Sequence, residues 1–538
     1  MSALWPCLCL ALVASAQATT YYVAVNGNNS NPGTGTNSAW KTIGYAAGKV
    51  VAGDTVYVCG GTYEENVAIS RRGTASQPIQ FLAYPGERPV VDGRNTRDSV
   101  LFVSGSYVTL SGFTVINGGK SGVDFWGSYG VIRSMTVSNI QGTGIYCRGS
   151  YNLIESNNVS FACMNNTTPN SPFWNKGGWG CGITVNNQSA GADQVNHQSI
   201  VRGNTVHDIW GEGINTFQVD GAIVENNVVY DTYSTHVYID TGRNVIVRNN
   251  LVYSTTNRIA TARTESAHLF SMSDETPDKP LSCNNLVVNN LFCNGYFNVF
   301  SWTLTRGGGA NGVVIANNTL VNATLWFADE KVTNHGTVIQ NNILYRNDGK
   351  RFIGLSRPAY DGSGLAFRHN LWSGAPNYPW ARGEGDIIGD PKLALAGPTA
   401  AGQLTPPYFA VASDSLVQGR GAPVYGVTDK YWVTNGVTPV NVGAYPESDP
   451  FLYATNAVTF PLTVTHGLGG GHYVPGQTLT ISELSSDKSL VFEQWVINSG
   501  SPVIADINRK VTALTMPAEA ASITAVFTPR SSQPPSAK

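Results

Sequence analysis

Between Asn204 and Tyr253 apolar and polar residues alternate in runs of three or four, too short for helices and bounded by Asn and Gly. Ile214-Asn215-Thr216-Phe217 reads as one strand, Ala222-Ile223-Val224-Glu225 as a second, and Val228-Val229-Tyr230 as a third after the tight turn Asn226-Asn227. The phrase then repeats. Asn204-Thr205-Val206-His207-Asp208, Asn227-Val228-Val229-Tyr230-Asp231 and Asn250-Leu251-Val252-Tyr253-Ser254 begin 23 residues apart. A fixed period of that size, rich in β-branched residues, predicts stacked coils of three strands each.

The same Asn is read at Asn158, Asn290, Asn318, Asn342 and Asn370, with longer intervals where loops interrupt a coil; backwards it fades into Thr136 and Thr114. Stacked coils lie about 4.8 Å apart, the spacing of hydrogen-bonded strands. One Asn per coil at an equivalent place can therefore form a side-chain amide ladder. The doubled Asn suits a sharp corner, because Asn tolerates left-handed backbone. Asn227 and Asn250 are expected in the ladder, and Val229 and Val252 inside.

A solenoid grows by adding coils, so 538 residues need no single large globular core. With 13% charged residues and a net charge of -2, nothing invites nucleic acid, and electrostatic capture of a strongly acidic polymer is not expected to dominate affinity. The apolar run Leu8 to Ala14, followed by Ala14-Ser15-Ala16 and Ala16-Gln17-Ala18, reads as a secretory signal over residues 1–18, although no Lys or Arg precedes it. No other stretch is long and apolar enough to span a membrane. Six cysteines remain, Cys59, Cys147, Cys163, Cys181, Cys283 and Cys293. Cys163 and Cys181 could staple the loop between them, whereas Cys147 falls at an inward position. Thr20 to Thr55 reads as a strand and a short amphipathic helix near Tyr45 to Val51 that plugs the open end.

The opening segments Gly53-Asp54-Thr55-Val56-Tyr57-Val58, Gly61-Thr62-Tyr63-Glu64-Glu65-Asn66-Val67 and Pro78-Ile79-Gln80-Phe81-Leu82-Ala83-Tyr84-Pro85-Gly86-Glu87, running to Val91-Asp92-Gly93, resemble the first coils of the right-handed parallel β-helix, or pectin-lyase-like, superfamily. Within it they are nearest the branch of family 9 polysaccharide lyases. Gly389-Asp390-Pro391, Ser413-Asp414-Ser415 and Asn441-Val442-Gly443-Ala444-Tyr445 are similar to the ends of many secreted bacterial β-helix proteins. The resemblance implies an all-β solenoid over residues 19–446. Beyond Pro446 the period is gone, and short strands such as Leu462-Thr463-Val464-Thr465 and Phe492-Glu493-Gln494-Trp495 over 447–530 resemble an internalin-B-type bacterial repeat module. Residues 531–538 read as a disordered tail.

Alternation fixes sidedness: with Val237 and Ile239 inward, His236, Tyr238 and Asp240 are expected outward. Carried to neighbouring coils, this gives an outer row of Asp124 and Trp126, Tyr146 and Arg148, Thr184 and Asn186, Asn215 and Phe217, Tyr238 and Asp240, His268 and Phe270, Phe300 and Trp302, and Trp326. Aromatic faces beside hydrogen-bonding groups suit sugar rings. Loops folding over the strand would instead make these aromatics a satellite core. Polar groups concentrate at Glu212, His236, Tyr238, Asp240, Arg263, Glu265 and His268. Asp208 and Asp231 fall at equivalent places on adjacent coils, where a Ca²⁺ or an Arg would relieve their repulsion; otherwise they cap turns and face apart.

Two chemistries fit. A glycoside hydrolase needs two carboxyl groups about 5–5.5 Å apart for retention or about 6.5–9.5 Å for inversion. Asp240 with Glu265, or Asp208 with Asp231, could serve. A lyase needs a base and a cation beside a uronate carboxylate, with His236, Tyr238, Arg263 and His268 as base candidates. The family resemblance implies an Asp cluster on Ca²⁺ and a Lys base, but from Gly203 to Asn290 the only Lys is Lys279 and no such cluster is visible. The polygalacturonase motifs are missing too. The sequence therefore points to a secreted or cell-surface bacterial carbohydrate-active enzyme, monomeric and acting on a polysaccharide or oligosaccharide. The alternative is a non-catalytic glycan-binding or adhesive protein; a metal-insertion factor would need a Met or His cluster that is absent.

Overall fold

In a computed structural model of the chain, each turn of the solenoid is built from the three strands the pattern predicts. It describes residues 18–529 except 97, 168–179, 188–194, 257–258, 260–267, 277–281, 305–307, 328–330, 423, 425–440, 445–459, 469–470, 474, 476–477 and 484–489. The leader pattern and the C-terminal tail lie outside the described residues. One coil runs Glu212–Asp220, Ile223–Glu225 and Val228–Thr232, and the next runs Thr235–Arg243, Ile246–Arg248 and Leu251–Tyr253. All pairings between them are parallel: Ile214 with Val237, Ile223 with Ile246, Val229 with Val252. Second strands form a 13-stranded sheet, and first and third strands share a 24-stranded one. Val206, Val229 and Val252 stack fully buried along the axis. Each such side chain contributes about 1.5–3 kcal/mol by leaving water.

The corner before each third strand divides its work between two Asn residues. Asn226, Asn249, Asn289, Asn317 and Asn341 hold φ between 51 and 57°, the left-handed region. The residue that follows each of them turns inward into the ladder. Asn157, Asn204, Asn227, Asn250, Asn290, Asn318, Asn342 and Asn370 each donate Nδ2–H to the Oδ1 of the next, at 2.9–3.0 Å, and Asn370 ends on Asp386 Oδ1 at 3.3 Å. The ladder member in its coil is thus Asn157, not Asn158. Ser156 takes the left-handed corner there, with φ 56°, so Asn158 pairs with Thr205 and is exposed. Thr136 and Thr114 align with Thr205 as well, and the ladder position of their coils is filled by buried Met135 and Phe113.

The plug helix spans Ile43–Lys49, two residues earlier than expected at its start, because Thr42 caps it through Tyr45 N–H at 3.2 Å. The Glu65 carboxylate takes the next orphan donors, the N–H groups of Ile43 and Gly44, both at 2.8 Å. On the second-strand face, Arg202 meets Glu155 and Arg248 meets Glu225, each at 2.8 Å across one coil step. No disulfide forms among the six cysteines. Cys163 Sγ accepts Gly180 N–H at 2.9 Å and the Cys181 thiol lies 3.5 Å from Glu212 Oε2, so the expected staple is not made. Cys147 is buried as expected. Among the described residues no helix is long and apolar enough to cross a membrane.

Past the last coil the chain turns back along the third-strand face. Leu404 and Phe409 cover Tyr230 and Tyr253, Val417 and Val442 cover Ile343 and Leu371, and Asn317 Nδ2–H donates to Asn441 C=O at 2.9 Å. A separate module follows, with two four-stranded sheets around Leu462, Ile481, Trp495, Leu514 and Ile523. Because Asn441 to Ala444 belong to the solenoid's packing, truncation after Pro446 should leave its calorimetric unfolding transition in place. Truncation after Asp414, which removes Val417 and Val442, should lower it.

Candidate functional site

The outward residues of the first strands line a cleft of about 930 Å³. Register places Asp124, Tyr146, Thr184, Asn215, Tyr238 and Ser271 in one column. Arg148, Asn186, Phe217, Asp240, Ser273 and Trp302 form the column beside it, with Trp126 at its exposed rim. The expected row holds from Asp124 through Asp240 and then slips. His268 pairs with Thr235, and Phe270 with inward Val237, so Phe270 is fully buried core and the outward places go to Ser271 and Ser273. Phe300 is likewise core. Trp302 returns to the row opposite Ser273, while Trp326 lies outward against Tyr296, 5.3 Å between ring centres, beyond the cleft lining. His268 lines the cleft wall. Arg263 and Glu265 lie outside the described residues.

His236 does not point outward. It occupies the place held by Gly144, Gly182 and Gly213 on earlier coils, where a side chain would meet an inward valine. Its ring is fully buried, with Nδ1 3.0 Å from both the His268 carbonyl and Thr232 Oγ1, and Nε2 3.1 Å from Ser254 Oγ. Burial lowers its pKa to about 4, so it is a neutral framework residue and no base. The folded value lies below the ordinary 6.5. The unfolded chain therefore binds the proton first, and stability present above pH 6.5 is lost as pH falls toward 4. Urea unfolding across that window should show the loss in the wild type and a flatter profile in His236→Gln, which should keep its activity per folded molecule.

At the cleft centre, Asp240 sits 4% exposed. Three donors converge on its Oδ1: Thr241 Oγ1–H at 2.9 Å, Glu275 N–H at 3.1 Å and Ser273 Oγ–H at 3.4 Å. Oδ2 accepts none among the described residues. Burial, with the Glu275 charge added, pushes the Asp240 carboxyl well above its usual range. Glu275 Oε1 receives Tyr238 O–H at 2.6 Å and Trp302 Nε1–H at 2.8 Å. Tyr238 is also raised, by burial first and then by Asp240 and Glu275, which makes it a proton-holding donor and a poor base. Glu212 lines the same cleft and receives Asn215 Nδ2–H at 2.5 Å.

Glu275 is absent from the sequence reading. The alternation Phe270, Met272 inward against Ser271, Ser273, Glu275 outward would have found it, but the loop before His268 hid which parity was buried. At the other end, Asp124 Oδ1 accepts from Trp126 Nε1 at 2.9 Å and Arg148 Nε at 3.2 Å. The Arg148 guanidinium lies 3.8 Å from the Tyr146 ring centre and 4.7 Å from that of Trp126. Asp208 and Asp231 are stacked as expected, each with φ near 55°. Asp208 pairs with His207 at 2.7 Å, and both Asp231 oxygens accept from Thr255, its N–H and its hydroxyl, at 2.7 Å. The described residues gather no set of three His, Cys, Asp or Glu side chains as metal ligands. The Asp208/Asp231 pair caps a corner through these bonds.

The fold is the right-handed parallel β-helix of the pectin-lyase-like class, with a small β module behind it. More narrowly, residues 21–190 match the Pel9A-like right-handed beta helix region, and residues 460–531 match the divergent InlB B-repeat domain. A stretch of 78 residues is 35% identical to the uncharacterized protein YwoF of Bacillus subtilis, covering 14% of this chain and 16% of that protein. Another of 85 residues is 36% identical to pectate lyase PEL9 of Emericella nidulans, covering 15% and 20%. These matches span a fifth or less of the relatives' lengths. Among solved structures, pectate lyase Pel9A aligns over 80% of this chain and 97% of its own at 16% identity and a TM-score of 0.48. XylC with xylose aligns over 72% and 90% at 13% identity and 0.45.

Proposed function

We infer that the protein is a carbohydrate-active enzyme, and that the reaction in its cleft is hydrolysis of a glycosidic bond. The observation that carries this reading is Asp240: a buried carboxyl group pushed well above its usual range by burial and the Glu275 charge, with an Oδ2 that accepts no hydrogen bond among the described residues, beside a second carboxylate fixed by Tyr238 and Trp302. Two carboxyl groups in unlike surroundings divide the roles of acid and base. Asp240 gives its proton to the departing glycosidic oxygen, and Glu275 acts on the anomeric side, as nucleophile or by activating water. Trp302 and Phe217 offer ring faces to sugars, and Glu212 with Asn215 offers partners for hydroxyls.

Elimination fits this floor less well, because it requires a cation beside the uronate carboxylate and a base to take the adjacent proton. Among the described residues, the Lys and Arg side chains lining the cleft, Lys120 and Arg148, stand three or more coils from Asp240, and the carboxylates there would repel a uronate. Secretion, read from Leu8 to Ala18, accords with a polymeric substrate outside the cell. A panel of neutral and acidic polysaccharides incubated with the purified protein should yield new reducing ends without absorbance from a C4–C5 unsaturated uronide. Retention on a glycan without any cleavage would instead identify a binding protein.

A further inference from the structure

We propose that the Arg148 end of the cleft is a subsite for the carboxylate of an acidic sugar, so that the substrate is a glycan carrying a uronic acid residue away from the bond that breaks. The proposal rests on the hydrolase reading for where that bond lies. Arg148 spends Nε on Asp124, yet its two terminal nitrogens have no hydrogen-bond partner among the described residues although the side chain is only 18% exposed. A mostly desolvated guanidinium with idle donors is satisfied by an anion from outside. The Tyr146 and Trp126 ring centres lie 3.8 and 4.7 Å from its central carbon, which leaves the forked terminal N–H groups as the donors that a planar carboxylate takes in two parallel bonds.

A neighbouring residue points the same way. Asn186 is 4% exposed and lines the cleft in the column of Arg148. Its Nδ2–H is given to Tyr146 O–H at 3.2 Å, while its buried Oδ1 has no partner among the described residues. That oxygen can accept a sugar hydroxyl beside the carboxylate. From Arg148 to Asp240 is three coil steps, about 14 Å. The acidic residue is therefore held a few sugars from the cleavage point, where the acidic floor would reject it.

The test measures binding, independent of cleavage. Asp240→Asn is titrated calorimetrically with hexamers derived from alginate, polygalacturonate and glucuronoxylan, each also after reduction of its carboxyl groups to alcohols, and with a sulfated galactan hexamer. At least one acidic hexamer should bind more tightly than its reduced form, and adding Arg148→Met should weaken the acidic form about tenfold or more while changing the reduced form within about twofold. Should Arg148→Met fail to fold, Asn186→Asp, which aims a second carboxylate at the ligand, should give the same selective loss. Equal losses on both forms, no preference for any acidic hexamer, no binding, or a preference for the sulfated hexamer alone would overturn the proposal. Failure of the hydrolase reading would show separately, as an active wild type making unsaturated products.

Discussion

Asp240→Asn is expected to lower kcat by about a thousandfold while glycan affinity stays close to that of the wild type. The amide keeps the shape and can still accept at Oδ1 from Thr241 and the Glu275 N–H, but it has no proton to give the leaving group. Glu275→Gln should cause a loss of similar size. In the wild type, activity should fall on the alkaline side, as pH rises through the raised Asp240 value. Stability moves in the same direction with pH. A carboxyl whose folded pKa is raised contributes stability that is fully present below the ordinary value near 4 and is lost as pH climbs to the folded one. Asp240→Asn should therefore melt above the wild type at neutral pH, with the difference closing as pH falls to about 4.

The largest loss of stability is expected from Asn250→Ala, about 3–5 kcal/mol by urea unfolding. Its side chain accepts from Asn227 N–H at 2.9 Å and Asn227 Nδ2–H at 3.0 Å. It also donates to the carbonyls of Val224 and Arg248 and to Asn290 Oδ1, each at 2.9 Å. Deletion strands donors and acceptors buried between two coils, beyond the reach of water. Asn157→Ala should be comparably harmful, whereas Asn158→Ala, one residue on and exposed, should change stability by less than about 0.5 kcal/mol. That contrast tests the ladder register directly.

Most of the solenoid was legible because its signals are periodic. Val206, Val229 and Val252 recur every 23 residues, and each fixes the parity of its own strand. The outer row was readable as far as Asp240 for the same reason. Legibility failed where the period was interrupted or where one residue broke the alternation. Asn157-Asn158 presented two Asn for one ladder place, and only the backbone of Ser156 decides between them. His236 sits where earlier coils have Gly, so strand alternation sent outward a ring that the corner turns inward. Beyond the loop before His268 the parity restarts, so alternation carried across the loop puts Phe270 outward and leaves Glu275 out of the row. Cys163 and Cys181 bracket a loop, but bracketing fixes neither the direction nor the partner of a thiol.

The most direct test of the central claim is mass spectrometry of oligosaccharide products formed in H₂¹⁸O. Hydrolysis at Asp240 and Glu275 adds one water across each cleaved bond, so each cut should place one ¹⁸O at a new reducing end and leave saturated sugars. Products without ¹⁸O and lighter by one water, carrying a C4–C5 double bond, would contradict the account and move the chemistry to elimination.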